Sequence, residues 1–519
     1  MIRAWLLILF FICGLVISFS VSFSPSGEAE ARVGGGSSFR SSSSRSSSRS
    51  SSRSFGSSRS SSSFSSSSGR SSASGDFELG NFLVFMTIVV IMVMYSVIKQ
   101  RNKAARRALR SQPTSANFAR YAQTLDQQID VLKKRDPYFS PILFLDFVHS
   151  LYHKYYSYLG QPQAVQLKPF LAASIAQSMR RQTGRQARIG EIVIGQLSIE
   201  KIEAGKESDA ITVLLEANYT AFHGADAKRV RHIVQERWRL QRRAGVISQE
   251  PDKMRALTCP NCGGPAQFTD AGICTYCNEL IQAGAMQWML HIRTILRSET
   301  QGAADFVNYA PEQGTHLPTI THPRLTAMQQ AFCQTHNIAD WQSYWRAFED
   351  RIVKTYFLDI NSAWSRQQWQ DARHLLSDRL YATNQFWLSQ YQEQGLVNKL
   401  EALAVNRVDL AKIETDHFYE AVTVRLFASC YDYVVNANNK VVGGSNRRRR
   451  DFTEYWTFVR RTGVETDEEQ FDDGICPSCG AGLDQMNMAA ECGYCGSKVN
   501  TGEFGWVLFL ITQDEVYRG

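Results

Sequence analysis

A cysteine block that occurs twice constrains this 519-residue chain more than any other feature. Each copy has two CxxC pairs, and a tryptophan follows eleven residues after the last cysteine, Trp288 in the first copy and Trp506 in the second. Paired CxxC motifs at this spacing are typical of a tetrahedral zinc site formed by four thiolates. The predicted metal ligands are Cys259, Cys262, Cys274 and Cys277 in the first copy and Cys476, Cys479, Cys492 and Cys495 in the second.

The ligand set also predicts what the metal does. A site closed by four thiolates leaves no coordination position for a substrate, so redox or catalytic zinc is the less favoured interpretation. We therefore expect two structural Zn²⁺ ions, held in zinc ribbons at residues 259–277 and 476–495.

The duplication extends upstream of the cysteines. Residues 236–245 match residues 454–463 at an offset of 218, and both segments contain a tryptophan and end in Arg-Arg-x-Gly. Further upstream, residues 201–203 match residues 412–414 at an offset of 211. A period of this length is the size of a whole domain rather than of a solenoid repeat, which predicts a tandem domain duplication.

The N-terminal segments are predicted to anchor the chain in a membrane. Residues 1–31 are typical of a signal peptide cleaved after Ala31, with an uncleaved anchor as the alternative. Residues 32–76 are rich in Ser and Arg and are expected to be disordered, either as a solvated spacer or in contact with cell-wall polymer or lipid phosphate. Residues 79–98 carry no charge and are long enough to span a bilayer as a helix, so they are the predicted transmembrane helix. Residues 99–135 are predicted to be a basic juxtamembrane segment and a helical stalk. The basic residues after the span place this segment in the cytoplasm.

The remaining chain predicts helices first and strands afterwards in each copy. Predicted helices are 143–158, 163–181, 348–365 and 368–394, and predicted strands are 192–202, 210–221, 230–241, 286–296, 404–413, 421–433, 452–461 and 504–512. We expect each ribbon to be inserted between the last two strands of an antiparallel sheet, with Trp288 and Trp506 facing the helices. The predicted domains are 136–297 and 341–519, joined by a linker at 298–340.

Short motifs in the second copy resemble a known family. Residues 361–364 (NSAW), 377–381 (SDRLY) and 506–508 (WVL), together with the strand pattern, resemble the Tim-forty-four-like (Tim44-like) domain family, named after a subunit of the mitochondrial inner-membrane import translocase. The resemblance covers most of residues 136–519 and implies an α+β, cystatin-like cone of the nuclear transport factor two-like class, with a curved sheet around a long helix. Bacterial members have the same order of signal peptide, low-complexity tract, membrane span and domain, so the resemblance implies a single-pass protein of the bacterial inner membrane.

Charge argues against nucleic acid as a partner. No Lys or Arg lies between Cys259 and Cys277, and Lys498 is the only one from Cys476 to Gly502. Binding to a nucleic acid needs several phosphate contacts. Four arginines at 447–450 lie where the second copy is longer, and they are predicted to form a solvated hairpin tip, with contact to anionic membrane lipid as the alternative.

Two classes of function remain. The resemblance implies a membrane-associated scaffold that binds a partner protein or peptide. The alternative is a pocket enzyme or small-ligand sensor on the same cone fold, for which Asp378, Tyr381, His374 and His417 are the candidate residues. The sequence contains no phosphate loop, metalloprotease helix or nucleophile elbow, so we expect the scaffold and no catalytic residues.

Overall fold

The computed structural model describes residues 115–181, 188–223, 228–269, 271–301, 314–464, 474–514 and 516–519. The predicted signal peptide, the Ser/Arg-rich segment, the predicted span at 79–98 and the basic segment after it up to residue 114 lie outside these ranges. No helix within the described ranges is both long and apolar enough to cross a bilayer. The described residues from Phe118 onward belong to one compact unit.

The first repeat consists of helices followed by a four-stranded sheet. Its elements are α1 (Ser115–Lys133), α2 (Pro141–Ser157), a 3₁₀ helix (Pro162–Phe170), α3 (Ala173–Arg181), β1 (Arg188–Ala204), β2 (Ser208–His223), β3 (Lys228–Arg243), α4 (Pro251–Ala256) and β4 (Met289–Gln301). The Ser140 side chain caps α2 by accepting a hydrogen bond from the backbone N–H of Leu143, which satisfies one of the free donors at the helix start.

The second repeat also has helices first and four strands afterwards. Its elements are α5 (Leu325–Thr335), α6 (Trp341–Ala347), a π-helical segment (Phe348–Lys354), α7 (Thr355–Arg366), a 3₁₀ helix (Trp369–Leu375), α8 (Asp378–Glu393), β5 (Leu396–Thr415), β6 (Tyr419–Asn436), β7 (Val441–Arg461), a 3₁₀ turn (Leu483–Gln485) and β8 (Val507–Gln513). The segment predicted as a linker, 298–340, therefore includes the end of β4 and all of α5.

The two sheets confirm the predicted fold class. Their strand orders are β1-β2-β3-β4 and β5-β6-β7-β8, and every neighbouring pair is antiparallel. All eight predicted strands are present. The chain is an α+β protein in which two four-stranded antiparallel sheets each pack against helices.

Two predicted helices are each divided in the structure. The first, predicted at 163–181, breaks at Leu171, which pairs with Leu290 at the start of β4. The second, predicted at 368–394, breaks at Leu376, which pairs with Leu508 in β8. The helical pattern was correct on both sides, but a backbone contact with the last strand of each sheet interrupts it.

Irregularities of the backbone repeat along with the sequence. The three register shifts in the β1–β2 pairing, at 190/193, 194/196 and 199/201, recur in the β5–β6 pairing at 401/404, 405/407 and 410/412. Glu191 and Ala402, which occupy the same place in the first of these bulges, have φ of 50° and 49°. Bulges bend a strand at defined points, so two sheets with the same bulges have the same curvature.

Each repeat buries a tryptophan of its third strand beneath its helices. In the first repeat Trp238 packs against Tyr152 and Tyr155 of α2. In the second repeat Trp456 packs against Phe357 of α7. Both indoles are fully buried, and each donates to a buried glutamate two residues earlier, at 2.7 Å in the first repeat and 2.9 Å in the second.

The two repeats share an interface. Phe418, Tyr419 and Phe509 of the second repeat belong to the apolar core of the first, and Val193 and Ile233 of the first belong to the core of the second. The repeats are therefore packed directly against each other.

The predicted position of the arginine run at 447–450 was wrong in part. The tip of the β6–β7 hairpin lies between Asn436 and Val441, and the arginines lie within β7. Between β6 and β7, Cys430 pairs with Arg450, whereas Asp432 pairs with Ser445. Residues 446–449 of β7 therefore have no backbone pairing partner in β6 and form a bulge. The additional residues of the second copy lengthen the hairpin and place this bulge in its second strand.

The arginine run at 447–450 contains both exposed and buried side chains, and their substitutions should differ in their effect on stability. Arg447 and Arg448 are exposed, whereas Arg450 is buried and 2.9 Å from the buried carboxylate of Asp432. We expect Arg450→Ala to lower the free energy of unfolding by about 3 kcal/mol, because it leaves a buried charge without its partner. The double change of Arg447 and Arg448 to Ala should alter it by less than about 0.5 kcal/mol. Urea unfolding of both variants measures the difference, and similar losses would contradict this assignment.

Candidate metal centres

Both cysteine ribbons lie in the connection between the last two strands of a sheet. The first ribbon joins β3 to β4 and the second joins β7 to β8, as the sequence predicts. Equivalent backbone bonds close the base of each ribbon, from the N–H of Arg243 to the carbonyl of Gly284 and from the N–H of Arg461 to the carbonyl of Gly502, both at 2.7 Å. The ribbons are therefore held at the same place on the two sheets.

Four tight turns present the cysteines. In each CxxC turn the first cysteine accepts a backbone hydrogen bond from the residue after the second cysteine, as Cys259 does from Gly263 at 2.9 Å. That following residue is left-handed in all four turns, with φ between 56° and 76° at Gly263, Asn278, Gly480 and Gly496. Glycine and asparagine adopt this conformation most easily, which explains their presence after each pair.

The sulfur positions fit a tetrahedral metal. In each set the four Sγ atoms lie within 4.8 Å of one another. Individual Sγ–Sγ separations are 3.9 Å for Cys262 and Cys274, and 3.8 Å for Cys479 and Cys492. A tetrahedral site with Zn–S bonds of about 2.3 Å has sulfurs about 3.8 Å apart. Each set could therefore hold one metal ion.

Burial alternates along each ligand set. The first cysteine of every CxxC pair is buried, and the second is exposed or half-buried. The buried cysteines pack with Phe268 and Ile281 in the first ribbon and with Ala490 and Val499 in the second. Four buried side chains are too few to stabilise a fold of their own, so a ribbon of this size needs a metal or another cross-link.

The thiols of the first ribbon differ in their ease of ionisation. A hydrogen bond from the Asn261 amide, at 3.5 Å, lowers the pKa of Cys277 to about 7. Burial raises the pKa of Cys259 to about 12. Because the buried thiol resists ionisation, four thiolates require a cation at their centre to exist together.

The second ribbon is anchored to the helices of its repeat through Asp378. Lys498 and Asn500 of the ribbon approach its carboxylate at 2.5 and 3.0 Å. Desolvation acts to raise the pKa of Asp378, but these two groups and Arg373 outweigh it and lower the pKa to about 2. The Arg373 side chain also donates to the backbone of Met488, at 2.8 Å.

The four residues of the enzyme alternative do not form one site. Asp378 and Tyr381 line a cleft of 530 Å³, but His374 and His417 do not. Tyr381 donates to the amide oxygen of Gln370 at 3.0 Å. His417 stacks on Tyr138 in the interface between the repeats, and burial lowers the pKa of His374 to about 4.

The sequence gives no signal for the buried acid partners of two equivalent arginines. Arg242 lies over the ring of Trp288 and pairs with Asp136 at 2.6 Å. Arg460 lies over the ring of Trp506 and pairs with Glu420 at 2.8 Å. The Arg-Arg-x-Gly motif marks the arginines, but their acid partners come from different elements of the two repeats.

These observations define an α+β protein with two four-cysteine groups that could bind metal ions. Residues 347–470 match the family model of the Tim44-like domain. The match runs from the end of α6 to just before the second ribbon, so this part of the second repeat is similar to the Tim44-like domain.

The other comparisons add little. A solved structure described as "Ntf2 like protein involved in plasmid conjugation" is similar at 6% sequence identity, with 71% of this chain and 95% of that chain covered and a TM-score of 0.13. A TM-score of this size does not establish a shared fold. A comparison with curated proteins finds no significant match.

Proposed function

We propose that this protein is a membrane-anchored scaffold, linked to protein transport or membrane-protein assembly, that binds a partner protein or peptide. The observation that carries the proposal is the match of residues 347–470 to the family model of the Tim44-like domain. The first repeat has the same strand order and the same bulges, which supports a second domain of this kind.

Structural Zn²⁺ is part of the proposal. The sulfur separations suit zinc, and a set of four thiolates favours zinc over the hard cations that prefer oxygen ligands. The ion would hold each ribbon closed at the end of its sheet. It would leave no coordination position for a substrate.

The membrane tether is supported by the sequence alone, through the uncharged segment at 79–98 and the basic residues after it. Both repeats would then lie on the cytoplasmic side of the inner membrane. In this position the exposed Arg447 and Arg448 could contact anionic lipid. Such a contact would orient a domain that the covalent span already holds at the surface.

The ribbons also offer a repeated apolar feature for a protein partner. Tyr276 and Tyr494 occupy the same position in the second CxxC turn of each ribbon, and their exposed fractions are 54% and 64%. Exposed tyrosine is enriched at protein interfaces because it combines apolar area with a hydrogen-bonding group.

A scaffold also agrees better than an enzyme with the contacts of the candidate catalytic residues. Asp378 binds the second ribbon, and Tyr381 stacks on Trp369. These contacts hold the second ribbon and the helices of the second repeat in place. No described cluster presents a nucleophile with a base and an orienting group, as catalysis would require.

Site-specific crosslinking tests the proposal. A photoreactive phenylalanine analogue is placed at Tyr276 or Tyr494 in the full-length chain, and the protein is irradiated in its native cells. We expect one defined protein adduct from these positions, identified by mass spectrometry. The matched control is Leu358, an apolar side chain of α7 that is 45% exposed but distant in sequence from both ribbons. No adduct at either tyrosine, or the same set of adducts at all three positions, would contradict a scaffold that binds through its ribbons.

A further inference from the structure

A cavity of 420 Å³ between the two repeats contains a buried arginine that lacks a full set of partners. The first repeat contributes residues of α2 and α4 to its wall, and the second contributes the start of α8, part of the second ribbon and β8. Arg379, in the first turn of α8, lines this cavity and is only 7% exposed. Its Nη1 atom is buried and makes no hydrogen bond within the described part of the chain.

The other cations of the cavity wall already have partners. Arg255 pairs with Asp146 at 3.0 Å, and Lys498 pairs with Asp378 at 2.5 Å. Arg379 has an aromatic neighbour, the ring of Phe509 at 4.8 Å, but no ion pair with another described residue. A guanidinium does not lose its proton in proteins, so its charge remains in the cavity.

The acidic residues near Arg379 do not form an ion pair with its guanidinium. Asp146 is within electrostatic range of Arg379 but bonds to Arg255. Asp252 lies on the cavity wall and is exposed, and it makes no ion pair with Arg379 in the structure. Burial, together with the nearby His153 and Arg379, lowers the pKa of His149, so this imidazole adds no charge at neutral pH.

We propose that this cavity binds an anionic ligand whose carboxylate or phosphate group pairs with Arg379. The planar guanidinium presents two parallel N–H donors, which match two oxygens of either group. The cavity wall also contains apolar side chains, Val459 and Val507, so the ligand carries an uncharged part beside its anionic group. This inference does not depend on the scaffold proposal, because it concerns the interface between the repeats rather than the ribbon tips.

Thermal unfolding and calorimetric titration of the full-length protein test the proposal. The probes are inorganic phosphate and succinate at constant ionic strength, and phosphatidylglycerol vesicles form a third arm because a lipid headgroup could supply the phosphate. We expect at least one probe to bind and to raise the melting temperature of the unchanged protein. In Arg379→Met the same probe should bind at least tenfold more weakly. A response confined to vesicles would assign the anion to lipid.

Two further variants separate binding from folding. Arg450→Met removes a buried arginine outside the cavity and should lower the melting temperature while leaving probe binding unchanged. Asp252→Asn removes a negative charge from the cavity wall and should tighten binding about twofold to fivefold. The proposal is overturned if no probe stabilises the unchanged protein, or if Arg379→Met responds to the probes as the unchanged protein does.

Discussion

Removing zinc from the protein is expected to loosen both ribbons and to lower the melting temperature by roughly 10 °C or more. Structural zinc sites contribute on the order of 10 kcal/mol of binding free energy, and each kcal/mol shifts the melting temperature of a domain of this size by roughly 2–4 °C. Each ribbon is joined to its sheet at its base. Only part of the zinc-binding free energy therefore adds to the stability of the sheets. The purified full-length protein should contain two zinc ions per chain by elemental analysis, and a strong chelator should remove both.

Single substitutions locate the two ions. Cys259→Ser and Cys476→Ser each remove a buried ligand, and each should reduce the zinc content from two to about one. The matched control is Cys333→Ser, a partly buried cysteine that belongs to neither set and should leave both ions in place. A zinc content well below two in the unchanged protein would show that the sets do not hold zinc. Full retention in both ligand variants would show that these residues are not its ligands.

Asp136→Ala is expected to lower the free energy of unfolding by about 3–5 kcal/mol. The carboxylate accepts from the Arg242 guanidinium and from both the backbone N–H and the hydroxyl of Ser248. The Arg242 side chain is fully buried, and removing its partner leaves an uncompensated buried charge. Urea unfolding at a fixed zinc concentration measures the change.

The control for this effect is an exposed ion pair. Arg366 and Asp371 are 3.5 Å apart, and each is more than half exposed. Asp371→Ala should therefore cost less than about 1 kcal/mol. The double variant Asp136→Ala with Arg242→Met should be more stable than Asp136→Ala alone, since it removes both charges. A loss below 1 kcal/mol in Asp136→Ala, or a double variant less stable than the single one, would contradict the importance of this buried pair.

The local patterns of the sequence predicted most of the fold. Alternating apolar residues, and an apolar stretch after each set of cysteines, identified the strands in the described part of the chain, and the repeated cysteines and tryptophans identified the position of both ribbons. These features depend on neighbouring residues and on short spacings. A metal knuckle, for example, needs two cysteines three positions apart and a glycine or asparagine after them.

Contacts between distant residues could not be predicted in the same way. Arg242 and Arg460 occupy matching positions, yet one pairs with Asp136 before α2 and the other with Glu420 in β6. The sequence of the arginine motif is the same in both cases, so it does not distinguish the partners. The helix breaks at Leu171 and Leu376 likewise depend on strands that lie more than 100 residues away.

The sequence by itself determined the duplication, the α+β order of elements and the two sets of four cysteines, because each of these follows from periodicity and spacing along the chain. Only the tertiary structure decided which face of the second repeat is buried against the first, how Asp378 holds the second ribbon, and that Arg379 is enclosed between the repeats. Burial and charge pairing are set by residues brought together from distant parts of the chain, and their cost depends on the partners that folding supplies.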